Sequence, residues 1–370
     1  MIRLFSIPFF LCITISCFAQ TYSRIKIDLK ESSIITVANL GLETDHGFYA
    51  PGKFLINEYS ERELALLRAA DVSFDILVED VLAHYEATKH LPFTENHARN
   101  SSCDGGVIEY ETPRNYQEGS MGGFLTYDEL LQTLDQMSTL YPNLITSKKA
   151  IGNYTTQNGN EIYYIKVSDN PNDDEIEENQ IIYTALHHAR EPGSLSQMIF
   201  YIWYLLENYK DDLEIQYIVD NTELYFMPCV NPDGYEYNES IAPNGGGRWR
   251  KNRRDNGNST GVDLNRNYGF NWGWDDGGSS PDGNSEVYRG TEAFSEPETQ
   301  AVKDLCEANN FKIALNYHSF GNLLIHPWGY NDALTDVDSI FKAMGNLMIE
   351  ENNYKLGTGV ETVGYVVNGD

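Results

Sequence analysis

A His and a Glu stand three residues apart in His188-Ala189-Arg190-Glu191, directly after the apolar run Ile181-Ile182-Tyr183-Thr184-Ala185-Leu186. That β-branched and aromatic run reads as a buried strand, so the two polar residues fall at a strand's end. Ligands in open α/β sheets collect at such ends. On a tight turn, an imidazole and a carboxylate at this spacing can point at one cation. Catalytic zinc commonly takes three protein ligands, a two-His-plus-Glu set among them, and keeps a fourth position for water. The remaining ligand has a candidate in His318, which ends a second apolar run at 311–317. If those two strands are neighbours, both imidazoles meet at one sheet edge. His187 adjoins His188 but faces the other side of an extended chain, which gives it a structural role. His97-Ala98-Arg99 imitates the motif and then has Asn100 where the Glu is needed.

The elements that must position these residues are legible as strands alternating with helices. Strands are expected at 162–167, 181–186, 223–230 and 311–317. Thr126 and Glu129 form a capping box ahead of a helix that runs to Pro142. Pro192 and Ser194 open a long buried helix, and Ser295 with Glu298 caps another. The alternation indicates an α/β sheet covered on both faces. Residues 245–283 are rich in Gly, Asn and Asp and are long for a connector, which marks them as functional. Ahead of this unit, strands at 24–29, 53–57 and 73–78 and a helix at 60–70 make a small α/β domain. The expected organisation is a leader at 1–19, the small domain at 20–95, a linker at 96–122 and the larger domain at 123–370.

The formal net charge of −29, from 55 acids against 26 bases, argues against nucleic acid and anionic membrane surfaces as partners. Arg3, the apolar residues 4–15 and the small Ala19 read as an export signal, and no later segment is long and apolar enough to span a bilayer. An exported, soluble protein follows. Cys103, Cys229 and Cys306 remain after the signal, with no CxxC spacing; Cys229 and Cys306 read as small buried hydrophobes.

The chain resembles the zinc carboxypeptidase family, the carboxypeptidase A type and especially its bacterial carboxypeptidase T relatives. The resemblance rests on His188-Ala189-Arg190-Glu191 with His318, and on further blocks in the family's order. These are Asn231-Pro232-Asp233-Gly234-Tyr235, Trp249-Arg250-Lys251-Asn252-Arg253, Asp263-Leu264-Asn265-Arg266-Asn267-Tyr268 and Pro327-Trp328-Gly329-Tyr330. It implies a mixed central sheet with helices on both faces. It also implies Zn2+ on His188, Glu191 and His318, and a peptide or protein substrate with a free C-terminus. Arg250 would stabilise the oxyanion at the scissile carbonyl. Asn265 and Arg266 would grip the terminal carboxylate, to which guanidinium is matched as a two-pronged donor. Arg190 would contact substrate further along the cleft. Arg248, Lys251, Arg253 and Arg254 read as solvated surface charge. The small domain resembles the family's activation segment, which covers the cleft until the linker is cut.

One departure matters. The family uses a Glu for proton transfer and a Tyr that closes over substrate, and no residue of 1–370 matches either; Glu361 lies upstream of both positions. The chain reads as incomplete at its C-terminal side, and these residues alone are expected to be weakly active. A zinc amidase of cell-wall peptides and a non-catalytic zinc-dependent peptide-binding relative are the alternatives. A monomer is expected.

Overall fold

Period-two burial builds the smaller unit. In β1 (Tyr22–Asp28) the side chains of Ile25 and Ile27 are fully buried while their neighbours alternate outward. The computed structural model describes residues 21–30, 33–88 and 110–370; the leader, Cys103 and the run 97–100 lie outside them. β1 pairs antiparallel with β3 (Phe54–Ser60) and β4 (Phe74–Val78), and β2 (Phe48–Ala50) pairs with β3, giving the order β2-β3-β1-β4. Between them in sequence lie α1 (Ile34–Asn39) and α2 (Glu61–Ala69), with α3 (Val81–Thr88) following β4. Ile25, Ile27, Val37, Leu55, Leu64 and Leu67 form a core of this unit's own. α2 starts at a capping box, Ser60 with Glu63.

In the larger unit a helix, α4 (Tyr127–Leu140), is begun by the Thr126–Glu129 box. The sheet comprises β5 (Lys149–Thr155), β6 (Glu161–Val167), β7 (Asn179–Ala185), β8 (Thr222–Met227) and β9 (Phe311–Tyr317) in the order β5-β6-β8-β7-β9. β7 is parallel to both β8 and β9, whereas β6 is antiparallel to β8 and to β5, so the sheet is mixed. Alternation along β8 sorts the core. Leu224 and Phe226 pack with α4, α5 (Pro192–Asn208), α6 (Leu213–Val219) and α7 (Pro232–Ile241). Tyr225 and Met227 face Ala301, Val302 and Leu305 of α8 (Pro297–Ala308) on the other side. Helices therefore cover both faces, as the alternation of elements predicts. Burying one such Leu or Phe is worth about 1.5–3 kcal/mol. Beyond β9 come β10 (Leu323–Ile325), α9 (Asp338–Met348), β11 (Lys355–Gly357) and α10 (Gly359–Thr362), with β10 and β11 paired in parallel.

Three local expectations are corrected. α8 is not capped by Ser295: Glu296 is the N-cap residue, without a side-chain cap, and the Ser295 hydroxyl bonds Glu296 Oε1 at 2.7 Å and accepts from Asn267 Nδ2 at 2.9 Å. Cys306 is exposed on α8, while Cys229 is buried and burial pushes its thiol up; both are free of disulfides. Residues 119–124 form a small antiparallel turn whose Met121 packs into the main core. Among the described residues no helix is long and apolar enough to cross a membrane.

The two units meet along a polar seam. Arg62 Nη1 donates to the Asn284 carbonyl at 2.7 Å, the Ser285 hydroxyl donates to the Gly41 carbonyl, and Arg248 pairs with Glu58.

Candidate metal and substrate site

Parallel pairing of β7 with β9 sets Ala185 opposite Tyr317, so both strands deliver their following residues to one edge. After Ala185 the chain turns sharply through Leu186, at φ 54°, a conformation costly for a branched side chain. The turn is held because Asn231 N–H donates to the Leu186 carbonyl at 3.1 Å and Leu186 N–H to Ser194 Oγ at 3.3 Å. α5 then begins with Pro192 in its first turn, and its N-cap residue, Glu191, makes no capping bond. The Glu191 carboxylate faces two imidazoles instead. Oε1 lies 2.6 Å from His188 Nδ1, Oε2 lies 2.9 Å from His318 Nδ1, and the two Nδ1 atoms are 3.2 Å apart. Burial alone would push the Glu191 carboxyl up, but His188, His46 and His318 hold it well below the usual range.

Around this set lies a supporting layer. Asp263 Oδ1 is 3.2 Å from His188 Nε2. In a neutral imidazole one nitrogen donates and the other accepts, so that bond favours a proton on Nε2 and a lone pair on Nδ1. The second Asp263 oxygen accepts from Arg250 Nε at 3.1 Å and Nη2 at 2.8 Å. Burial would raise the Asp263 carboxyl, but Arg250 and His188 hold it well below its ordinary range. Asn231 Nδ2 donates to the His187 carbonyl at 3.1 Å while its Oδ1 accepts from Gly234 N–H at 3.0 Å. Ala189 N–H donates to the Arg250 carbonyl at 3.0 Å. His187 is buried, hydrogen-bonds the Tyr268 hydroxyl at 2.6 Å and stacks its ring on His318. Its ring thus lies against the edge beside His318, whereas an extended chain would turn it to the other side.

Two fully buried guanidinium groups, Arg250 and Arg266, stand next to this edge. Both are engaged by acids of the smaller unit, on the connector between α1 and β2. Glu43 Oε1 accepts from Arg250 Nη1 at 2.9 Å, and its other oxygen meets Arg190. Asp45 Oδ2 accepts from Arg266 Nη2 at 2.9 Å and lies 3.4 Å from Arg250 Nη2. Burial would push both carboxyls up, but Arg190 and Arg250 at Glu43, and Arg250 and Arg266 at Asp45, hold them down. Arg266 Nη1 also donates to the Asn265 carbonyl at 2.7 Å, and the Tyr365 hydroxyl lies 3.2 Å from Nη2. A cavity of about 310 Å³ beside Glu191 and His46 is bounded by Arg190, Arg248, Ser319 and Phe320.

Residues 130–368 match the zinc carboxypeptidase family model. The chain belongs to the zinc carboxypeptidase family. It is 28% identical over 323 residues to carboxypeptidase B of Helicoverpa zea, covering 82% of this chain and 68% of that protein. It is 32% identical over 260 residues to a zinc carboxypeptidase of Saccharothrix mutabilis subsp. capreolus, covering 67% of this chain and 58% of that protein. The fold is that of a solved carboxypeptidase A from Helicoverpa armigera, with a TM-score of 0.73, 23% identity and coverage of 95% of this chain and 84% of that one.

Zinc is the family's metal, and the donor set fits it: two imidazole nitrogens and a carboxylate converge, and a second carboxylate backs one imidazole. His188, Glu191 and His318 are brought together, Arg250 and Arg266 flank them, and Asn265 lies beside Arg266 on a short 3-10 turn at 264–266. Arg190 reaches the same cluster through Glu43. The surface reading is corrected for two of the four basic neighbours. Lys251 is buried with Nζ donating to the Gly283 and Ser285 carbonyls at 2.9 and 3.0 Å, and Arg248 pairs across the seam with Glu58. Asp263 carried a signal, since it opens a block already singled out. Glu43, Asp45 and His46 also belong to the site, and no motif or periodicity in the sequence marks them.

Proposed function

We propose that the protein is an exported zinc metallocarboxypeptidase precursor that removes single residues from the free C-termini of peptides and proteins. One observation carries this reading. Two fully buried cations beside the His188–Glu191–His318 set already bind carboxylates, Asp45 on Arg266 and Glu43 on Arg250. A substrate's terminal carboxylate offers the same chemistry.

His188, Glu191 and His318 would hold the zinc, which when bound polarises a carbonyl oxygen and lowers the pKa of its water. Arg266, with Asn265, would grip the terminal carboxylate and so fix which peptide bond is presented. Arg250 would face the carbonyl oxygen as negative charge develops there, held for that work by Asp263, which also orients His188. Arg190 would meet substrate further along the cleft. The small domain, held over these groups by Glu43 and Asp45, would keep the site closed until the linker at 96–122 is cut. The family's proton-transferring Glu has no match in residues 1–370, and the Glu361 carboxylate is taken up by Thr358 N–H at 3.0 Å.

The test is prolonged incubation of the zinc-loaded, linker-cut protein with paired peptides, free and amidated at the C-terminus, read by mass spectrometry. Loss of one residue from the free peptides only is the expected result. Cleavage of both would refute the terminal-carboxylate reading and favour an amidase. Tight binding of the free peptides without release, with zinc in place, would favour the non-catalytic relative.

A further inference from the structure

We infer that His46 of the small domain is a fourth protein ligand to the metal, so that the uncut chain closes its own metal site with an imidazole. This rests on the metal reading above and goes beyond simple covering. His46 Nε2 lies 2.5 Å from Glu191 Oε1, the same oxygen that faces His188 Nδ1 at 2.6 Å. His46, His188 and Glu191 place one donor atom each within a span that a single ion bridges. The His46 and His188 rings meet edge-on with centroids 5.5 Å apart.

The other nitrogen of His46 is treated as His188's is. Nδ1 lies 2.5 Å from Glu43 Oε1, as His188 Nε2 lies 3.2 Å from Asp263 Oδ1. A carboxylate behind a ligating imidazole fixes its tautomer and ring orientation and raises its basicity. Each imidazole thus presents one nitrogen inward and has its own acid behind the other.

The segment is also built to hold this pose. The Glu43 carbonyl accepts from the Tyr59 hydroxyl at 2.7 Å and Asn57 Nδ2 at 3.2 Å, both on β3. Gly47, at φ +102°, lets the chain turn back against β3, where a Cβ would come 2.2 Å from the Ile56 carbonyl oxygen. Glu43 and Asp45 stand on Arg250 and Arg266, so one four-residue stretch supplies an imidazole to the metal edge and carboxylates to both cations. A closed four-ligand set is the arrangement of structural zinc, whereas catalysis keeps one position open. Cutting the linker would therefore have to withdraw a ligand as well as a cover.

The experiment loads the full chain with Co2+ and counts hyperfine-shifted, exchangeable imidazole N–H proton signals. Three signals in the native chain, falling to two in His46→Ala, are expected. Release of Co2+ to a chelator should be at least roughly tenfold faster in His46→Ala. Glu43→Gln, which leaves the imidazole in place, should keep three signals with a smaller change in release. Two signals in the native chain would overturn the inference while leaving the three-ligand site standing, as would three signals in both native and His46→Ala. A native chain that takes up no Co2+ would overturn the metal site itself and this inference with it.

Discussion

Asp263 ties the two halves of the proposed chemistry together, because one oxygen faces His188 and the other binds Arg250. Asp263→Asn keeps the shape but removes the charge, so metal affinity should fall roughly 10–100-fold, measured by chelator competition. An unchanged affinity would show that His188 needs no such backing. A second residue reports on pH. Glu298 is buried beside Glu296, and burial with that neighbour pushes its carboxyl from the ordinary 4.5 up to about 8. The folded chain then holds this proton more tightly than the unfolded chain. Its stabilising contribution is complete below pH 4.5 and is lost as pH rises toward about 8. Denaturant midpoints should fall across that window in the native protein, and Glu298→Gln should flatten the fall. Equal slopes would refute the assignment. The metal-ligand candidates were readable from sequence because each follows an apolar strand. Glu43, Asp45 and His46 were not, since their partners in the larger domain lie 145 or more positions away, as Glu191 does from His46. No local periodicity encodes such a pairing.

At the scale of elements, the site is made where the turn after β7, the start of α7 and the irregular run at 249–252 pack together. The turn after β7 carries His188, Asn231 caps α7 with Gly234 in its first turn, and the run at 249–252 carries Arg250. Gly234 has no room for a side chain. A Cβ there would stand 2.6 Å from the Lys251 carbonyl oxygen and 2.8 Å from the Ala189 Cβ. Gly234→Ala should cost about 1–3 kcal/mol of unfolding free energy, as overpacking does, and should weaken metal binding by displacing Ala189. Native-like stability with native metal affinity would contradict this. The sequence blocks around Asn231, Arg250 and Asp263 thus sit together in space, which explains why they are separately distinctive along the chain. The seven strands expected from the sequence lie within a few residues of their places, whereas β2, β5, β10 and β11 carry no such expectation. The starting residue of α8 did not, because Ser295 spends its hydroxyl on Glu296 and Asn267. Lys251 and Arg248 defied a surface reading because their partners are backbone carbonyls and an acid from the other unit.

For the whole molecule, the two units are joined by charge placed where it is buried. Removing one member of a buried pair costs about 3–5 kcal/mol, since the remaining charge is left uncompensated. Glu43→Gln with Asp45→Asn should therefore separate the two pieces of a linker-cut chain on gel filtration under conditions where the native pieces stay together. Co-elution of the variant pieces would place the affinity elsewhere along the seam. The same acids should compete with substrate. The most direct measurement is calorimetric binding of one peptide, free or amidated at its C-terminus, to zinc-loaded protein before cutting and after removal of the small domain. Negligible binding of either before cutting, and binding of the free peptide alone afterwards, is the expected result. Equal affinity for both forms after cutting, or full affinity before it, would contradict the account.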